Sequence, residues 1–222
     1  MNRIAIFARW PTLGAVKTRL SPALPAPLAL NLYRAMLSDA VDSTREAGAD
    51  ERFLYWADAP AGGDTGAPAG MGVRHQRGGD LGERLTRASE ELLAGPDARA
   101  VVTGADCPEL TPRILREAFD ALGGADLVLG PASDGGYYLL GLRRPAPALF
   151  SSIAWGTSAV LEQTLEQARR SGLTPALLGG LADLDTPDDL ARFAARRALA
   201  ADATGRHTVA ALRALGLMPL AR

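Results

Sequence analysis

The chain has 222 residues, 47% of them apolar, 22% charged and 5% aromatic, which suits one α/β domain, with or without a small appendage, and excludes a short disulfide scaffold. Lys plus Arg number 24 against 25 Asp plus Glu, so the formal net charge is −1 and no global field draws the protein to nucleic acid or anionic lipid. A single cysteine, Cys107, and two histidines exclude an internal disulfide and a histidine-rich metal cage, yet leave room for a hard cation held by carboxylates and phosphates.

The first apolar stretch, 3–8, reads as a buried strand that opens into a loop containing Arg9, Pro11 and Gly14, then Val16, Lys17, Thr18, Arg19 and Leu20. An amphipathic stretch of about 20 residues from Pro27 repeats Leu30, Tyr33, Leu37 and Val41 at helical spacing. Strands are expected over 51–57 and, after a Gly/Pro-rich loop at 59–72 that is the best candidate for disorder or a lid, over 71–76. Asp80 with Glu83 has capping-box spacing ahead of a helix with Leu81, Leu85, Ala88 and Leu92 on one face. A uniformly apolar strand at 100–103 runs into Gly104, Ala105, Asp106, Cys107 and Pro108, and Thr111 with Pro112 starts another helix. Strands at 126–130 and 137–142 flank a turn through Ser133, Asp134, Gly135 and Gly136. A helix over 158–170, a weak strand near 177, a helix beginning at Pro187 and one from Arg206 complete the chain. The alternation predicts a layered α/β domain with a largely parallel sheet.

Absence of a long charge-free apolar run, and the early arrival of Arg9, make the sequence read as cytoplasmic, with no stable membrane insertion and no nucleic-acid partner. The oligomeric state has no signature.

Chemistry concentrates in three places. Lys17 and Arg19, directly after a strand-to-loop junction, are placed to clamp phosphates, with Arg9 nearby and Gly14 letting backbone approach an oxygen-rich ligand; the alternative is a solvated loop end. The spacing is not that of a Walker A loop. Asp106 follows a buried strand at the edge where α/β folds bind ligands, and Asp185 precedes a Thr-Pro helix start; together they can hold a divalent ion, with Asp183 the competing ligand. Either aspartate can instead serve loop amides, and Asp188 and Asp189 suit a helix start. Asp134, beside Gly135 and Gly136, can orient an acceptor hydroxyl or take its proton, or simply belong to a tight turn. Gln76 and Arg84 end neighbouring segments and can reach a base or phosphate, Trp155 can stack on a base or anchor a loop, and Cys107 reads as buried filler.

Taken in order, Phe7-Ala8-Arg9 with Pro11, Gly14 and the 16–20 run, then 104–108, then Leu129 to Ala132 with Asp134-Gly135-Gly136-Tyr137, then 183–187, resemble the DUF2064 or transferase 1 branch of the GT-A-like glycosyltransferase and nucleotidyltransferase superfamily. The resemblance is strongest over 1–200 and implies one Rossmann-like GT-A-type domain over 1–222, three-layer α/β/α with a mostly parallel central sheet. It implies nucleotide binding by Gly14, Lys17 and Arg19 with Arg9 nearby, to which the position of Gln76 at a segment end adds a further candidate, metal binding of Mg2+ or Mn2+ by Asp106 and Asp185, and catalytic roles for Lys17, Asp106 and Asp134. The expected activity is metal-dependent glycosyl transfer from a nucleotide sugar to a small-molecule acceptor. The alternatives are nucleotidyl transfer from a nucleoside triphosphate with release of pyrophosphate, and a noncatalytic nucleotide-binding domain. Cys107 stands where the DXD signature of glycosyltransferases continues toward a second aspartate, so that metal geometry does not carry over.

Overall fold

Strand β1 (Asn2–Arg9) fully buries the consecutive residues Ile4, Ala5 and Ile6, which requires cover on both faces. The computed structural model, which describes residues 1–60 and 66–219, supplies that cover from α1 (Ala26–Arg45), α2 (Leu81–Leu92), α3 (Pro112–Ala121) and α4 (Val160–Arg170). The other strands are β2 (Glu51–Ala57), β3 (Gly72–His75), β4 (Arg99–Gly104), β5 (Leu127–Pro131), β6 (Tyr137–Leu142) and β7 (Pro175–Leu177). Among the described residues they form one seven-stranded sheet in the order β3-β2-β1-β4-β6-β5-β7. Only β6 runs against its neighbours. The reason is local: the short turn through Ala132 and Gly136, closed by a 3.0 Å backbone bond between them, can join only antiparallel strands.

Side-chain alternation distributes the core. Ala5, Tyr55, Val102, Leu127 and Leu129 face α2 and α4, whereas Ile4, Val101 and Val128 face α3, and Ile6, Leu54 and Trp56 face α1. The result is the expected three-layer α/β/α arrangement. Helices α5 (Pro187–Leu199) and α6 (Arg206–Ala214) pack outside α1 through Leu32, Met36, Phe193 and Leu212, so the last segment thickens one layer.

Helix starts follow the sequence signals. Asp80 accepts the Glu83 N–H at 2.8 Å, while the Glu83 carboxylate reaches the Gly79 N–H at 3.0 Å. Thr111 caps α3 ahead of Pro112, and Thr186 with Asp189 forms a complete capping box on α5. Leu81 departs from the expected apolar face: at the first turn of α2 it is 41% exposed and lines a cavity. The 59–72 lid candidate includes residues 61–65, which lie outside the described residues. No helix among the described residues is long and apolar enough to cross a membrane.

Candidate functional site

The sheet grows from β1 in both directions, to β2 on one side and β4 on the other. The crevice beyond the carboxyl ends of β1 and β4 is therefore the topological switch point at which open α/β sheets bind ligands. Two loops enter it, one after Arg9 and one through Ala105 and Asp106, and the segment Asp183 to Asp185 arrives from the far edge. The third is clipped to the second by the Leu184 N–H, which donates to the Asp106 carbonyl at 2.9 Å.

Lys17 ties these loops together. Its backbone is left-handed (φ 51°, ψ 38°), a conformation that costs an L-residue roughly 1–2 kcal/mol, and its side chain is 3% exposed. The ammonium group donates to the Leu184 carbonyl at 2.7 Å and lies 2.6 Å from Asp106 Oδ1 and 3.5 Å from Asp185 Oδ1. Arg19 meets the other Asp185 oxygen at 3.1 Å. Two carboxylates and two cations thus converge at the strand ends, with Asp106 54% and Asp185 37% exposed at the side chain.

Two cavities meet at this cluster and share Arg19, Asp106 and Asp185 as lining. One, of about 340 Å³, lies over β1 and is walled by Phe7, Arg9, Val16, Lys17 and Tyr33. The Tyr33 hydroxyl accepts the Arg9 N–H at 2.9 Å and donates to the Arg9 carbonyl at 2.8 Å, fixing the last residue of β1. Burial, and then the Asp106 charge, push the Tyr33 hydroxyl pKa up. The Arg9 guanidinium closes the loop by donating to the Ala15 carbonyl at 3.3 Å.

The second cavity, of about 470 Å³, opens on the β6 side and is lined by Leu81, Asp134, Tyr137, Trp155, Thr157 and Asp183. Asp134 Oδ1 accepts the Gly136 N–H at 2.8 Å. Gly135 is held at φ +90°, and a Cβ there would meet Ser158 Cα at 2.6 Å, so glycine is needed for both conformation and contact with the loop before α4. Asp183 accepts the Cys107 thiol at 2.8 Å; burial, with the Asp134 and Asp106 charges, raises its pKa to about 6. Burial and then Asp183 push the Cys107 thiol up as well, consistent with an inert, buried residue.

The structure thus brings together Arg9, Lys17, Arg19, Asp106 and Asp185 around one cavity, and Asp106, Asp134 and Asp185 around the other. Three sequence candidates fall elsewhere. Gly14 lines neither cavity; its φ of +76° over open space makes it a turn residue. Gln76 lines neither and donates Nε2 to the Tyr55 carbonyl at 2.9 Å and the Ala8 carbonyl at 3.4 Å. Arg84 donates to the Gly78 carbonyl at 3.2 Å. Asp189 accepts the Asp185 and Thr186 N–H groups, shaping the loop that carries Asp185. The sequence reading missed Tyr33 and Leu81 as cavity residues because both fit an apolar helical stripe; the one clue was the hydroxyl at the tip of Tyr33.

Among the described residues no group of three or more His, Cys, Asp or Glu side chains could hold a metal ion. Asp106 and Asp185 are the two carboxylates that line both cavities. This donor set fits a magnesium-type ion, which takes one or two carboxylates and fills its shell with water and substrate phosphates.

Comparison with known proteins bears on the chemistry. The family model DUF2064, described as an uncharacterized protein conserved in bacteria, matches residues 40–157. A candidate nucleotide-diphospho-sugar transferase of known crystal structure from Desulfovibrio desulfuricans G20 is 31% identical, with a TM-score of 0.85 over 97% of this chain and 95% of that one. The 2-phospho-L-lactate guanylyltransferase of Methanothermobacter thermautotrophicus is 29% identical over 185 residues, 78% of this chain and 76% of its own length. A nucleotidyl transferase from Methanothermobacter shares the fold at 19% identity and a TM-score of 0.54 over 87% of this chain. The fold is that of transferase enzymes.

These findings correct the expected activity. Glycosyl transfer from a nucleotide sugar is overturned by the relative named for guanylyl transfer. The expectation failed for a physical reason: both reactions neutralise a diphosphate or pyrophosphate leaving group with the same cations, so Lys17, Arg19 and the aspartates cannot separate them. The family model and the 31% identical relative agree with the architecture, and the chain belongs to the DUF2064 family of the GT-A-like nucleotidyltransferase superfamily.

Proposed function

We propose that the protein is a nucleotidyltransferase that takes a nucleoside triphosphate in the cavity over β1 and an acceptor in the cavity over β6, and releases pyrophosphate. The observation that carries this reading is the meeting of the two cavities at Arg19, Asp106 and Asp185, with Lys17 bound to both aspartates, so that two substrates would face each other across one charged cluster. The guanylyltransferase relative favours GTP as the donor to try first.

In this reading Lys17 and Arg19 hold the triphosphate and offset charge that builds on the departing pyrophosphate. The left-handed backbone of Lys17 and its bond to the Leu184 carbonyl aim the ammonium before substrate arrives, so little reorganisation accompanies reaction. Asp106 and Asp185 would hold magnesium or manganese, which when bound supplies further charge compensation to the donor phosphates. An acceptor oxygen attacks the α-phosphorus, and the bond from that phosphorus to the β-phosphate oxygen breaks. Asp134 sits on the acceptor side, placed to orient or deprotonate the attacking group.

The test is pyrophosphate release and calorimetric binding with each of the four nucleoside triphosphates and with nucleoside diphosphate sugars, with magnesium or manganese and with chelator. Metal-dependent binding of one triphosphate in preference to the sugar nucleotides is expected. Preference for sugar nucleotides, or no triphosphate bound by the folded protein, overturns the reading.

A further inference from the structure

We infer that the acceptor is a non-anionic alcohol, an uncharged polyol or an amino alcohol, and not a phosphorylated or carboxylated compound. This rests on the nucleotidyl-transfer reading and deepens it, because it concerns what fills the second cavity.

The charge on that cavity's walls is one-sided. Asp134 and Asp183 line it in addition to Asp106 and Asp185, and the basic side chain among its lining residues, Arg19, already donates to Asp185 at 3.1 Å. Lys17 serves Asp106 and Asp185. The bonds of Asp134 and Asp183 are to neutral donors: the Gly136 N–H for the first and the Cys107 thiol for the second, each at 2.8 Å and each on Oδ1. A second carboxylate oxygen on each remains for a ligand.

An incoming phosphate or carboxylate would place like charge beside these two groups, whose own partners are neutral, while Lys17, Arg19 and the metal are engaged by the donor phosphates; this selects against anionic acceptors. A hydroxyl or ammonium group meets the opposite situation, since both donate to carboxylates. The rest of the wall suits the same ligands. Tyr137, Trp155 and the exposed Leu81 line the same space. Aromatic faces pack against the C–H faces of polyols and attract ammonium groups.

The step balances without a further reactant. The acceptor oxygen forms a bond to the α-phosphorus, and the phosphorus–oxygen bond toward the β-phosphate breaks, its electron pair leaving on pyrophosphate. The hydroxyl proton passes to the oxygen of Asp134 that Gly136 does not engage, and from there to water. The product is a phosphodiester between nucleoside monophosphate and alcohol.

Matched pairs test the assignment: glycerol against glycerol 3-phosphate, ribitol against ribitol 5-phosphate, and ethanolamine against 2-phospho-L-lactate as the extremes of charge. Binding is read by saturation-transfer NMR on the wild-type protein with and without GTP and magnesium, and product by mass spectrometry. The expected result is a preference of roughly tenfold or more for the unphosphorylated member, narrowed in Asp134→Asn, which keeps an oxygen for the Gly136 N–H. Preference for glycerol and ribitol identifies a polyol acceptor and preference for ethanolamine an amino alcohol. Tighter binding of the phosphorylated members, or binding of no member by protein that binds GTP, overturns the inference. Failure to bind any triphosphate while the pair preference persists would instead remove the nucleotidyl-transfer reading and leave the ligand class standing.

Discussion

The two cavities are built by different means. The one over β1 draws most of its wall from a single stretch, 7–19, and its cations are cross-linked to the strand ends before any ligand arrives. The one over β6 takes its wall from the start of α2, the ends of β4 and β5, the loop before α4 and the 183–185 segment. The first arrangement suits a generic task, holding a phosphate chain; the second lets several short loops vary independently, which suits selection of an acceptor. Substitutions on either side should therefore separate donor from acceptor behaviour.

The largest effect is expected at the cation that braces the two aspartates both cavities share. Lys17→Ala removes a buried cation from Asp106, Asp185 and the Leu184 carbonyl; both carboxylates are more than a third exposed and water can replace the ammonium there, so we expect about 1–3 kcal/mol loss of stability, but at least about a hundredfold loss of turnover. Thermal unfolding and pyrophosphate release measure the two. Wild-type triphosphate affinity in this variant would mean that the β1 cavity is not the donor site. Asp106→Asn keeps the shape and removes one charge, and the expected loss is about tenfold in metal-dependent donor affinity or turnover, near 1.4 kcal/mol. An unaltered magnesium dependence would take Asp106 out of the site.

Gly135→Ala acts on one side only. The added methyl meets the Ser158 backbone at a φ of +90°, so the Asp134 turn and the loop before α4 must separate. We expect roughly 1–3 kcal/mol of destabilisation and a raised acceptor KM, with triphosphate affinity within about twofold of wild type. A matching fall in donor affinity would show that the two cavities are not independent.

The same contrast explains what the sequence disclosed. β1, β2 and β4 were legible because strands buried on both faces read as unbroken apolar runs, and Asp80, Thr111 and Thr186 announced their helices by side-chain chemistry that acts within three residues. Lys17, Arg19 and Asp106 were legible because they follow strands immediately. The antiparallel direction of β6 and the placement of Leu81 beside Trp155 were not, because they depend on which loops meet in space. Gly14 and Gly135 looked alike in sequence, yet one serves an open turn and the other a backbone contact that only the fold creates. Gln76 misled because a polar residue ending a strand signals a ligand and a backbone partner equally well.

A control at the opposite edge of the sheet sharpens the comparison. Asp126, just before β5, accepts the Thr174 N–H at 3.0 Å and lies 2.7 Å from Arg143 Nη2, joining β5, the end of β6 and the entry to β7 away from the residues that line either cavity. The Thr174 N–H, followed by Arg143, holds its pKa down at about 2. A depressed folded-state pKa means that the ionised group stabilises the fold above its unfolded value, near 4, and that this contribution is lost as the pH falls toward about 2. Asp126→Asn should therefore cost on the order of 1–2 kcal/mol at pH 7, with the gap from wild type closing between about pH 4 and 2 and turnover at neutral pH unchanged. Chemical denaturation across that range measures the gap. One that persists undiminished to pH 2 would show that Asp126 supports the strand ends by shape alone, and an altered turnover would show that the sheet transmits strain from this edge to the crevice.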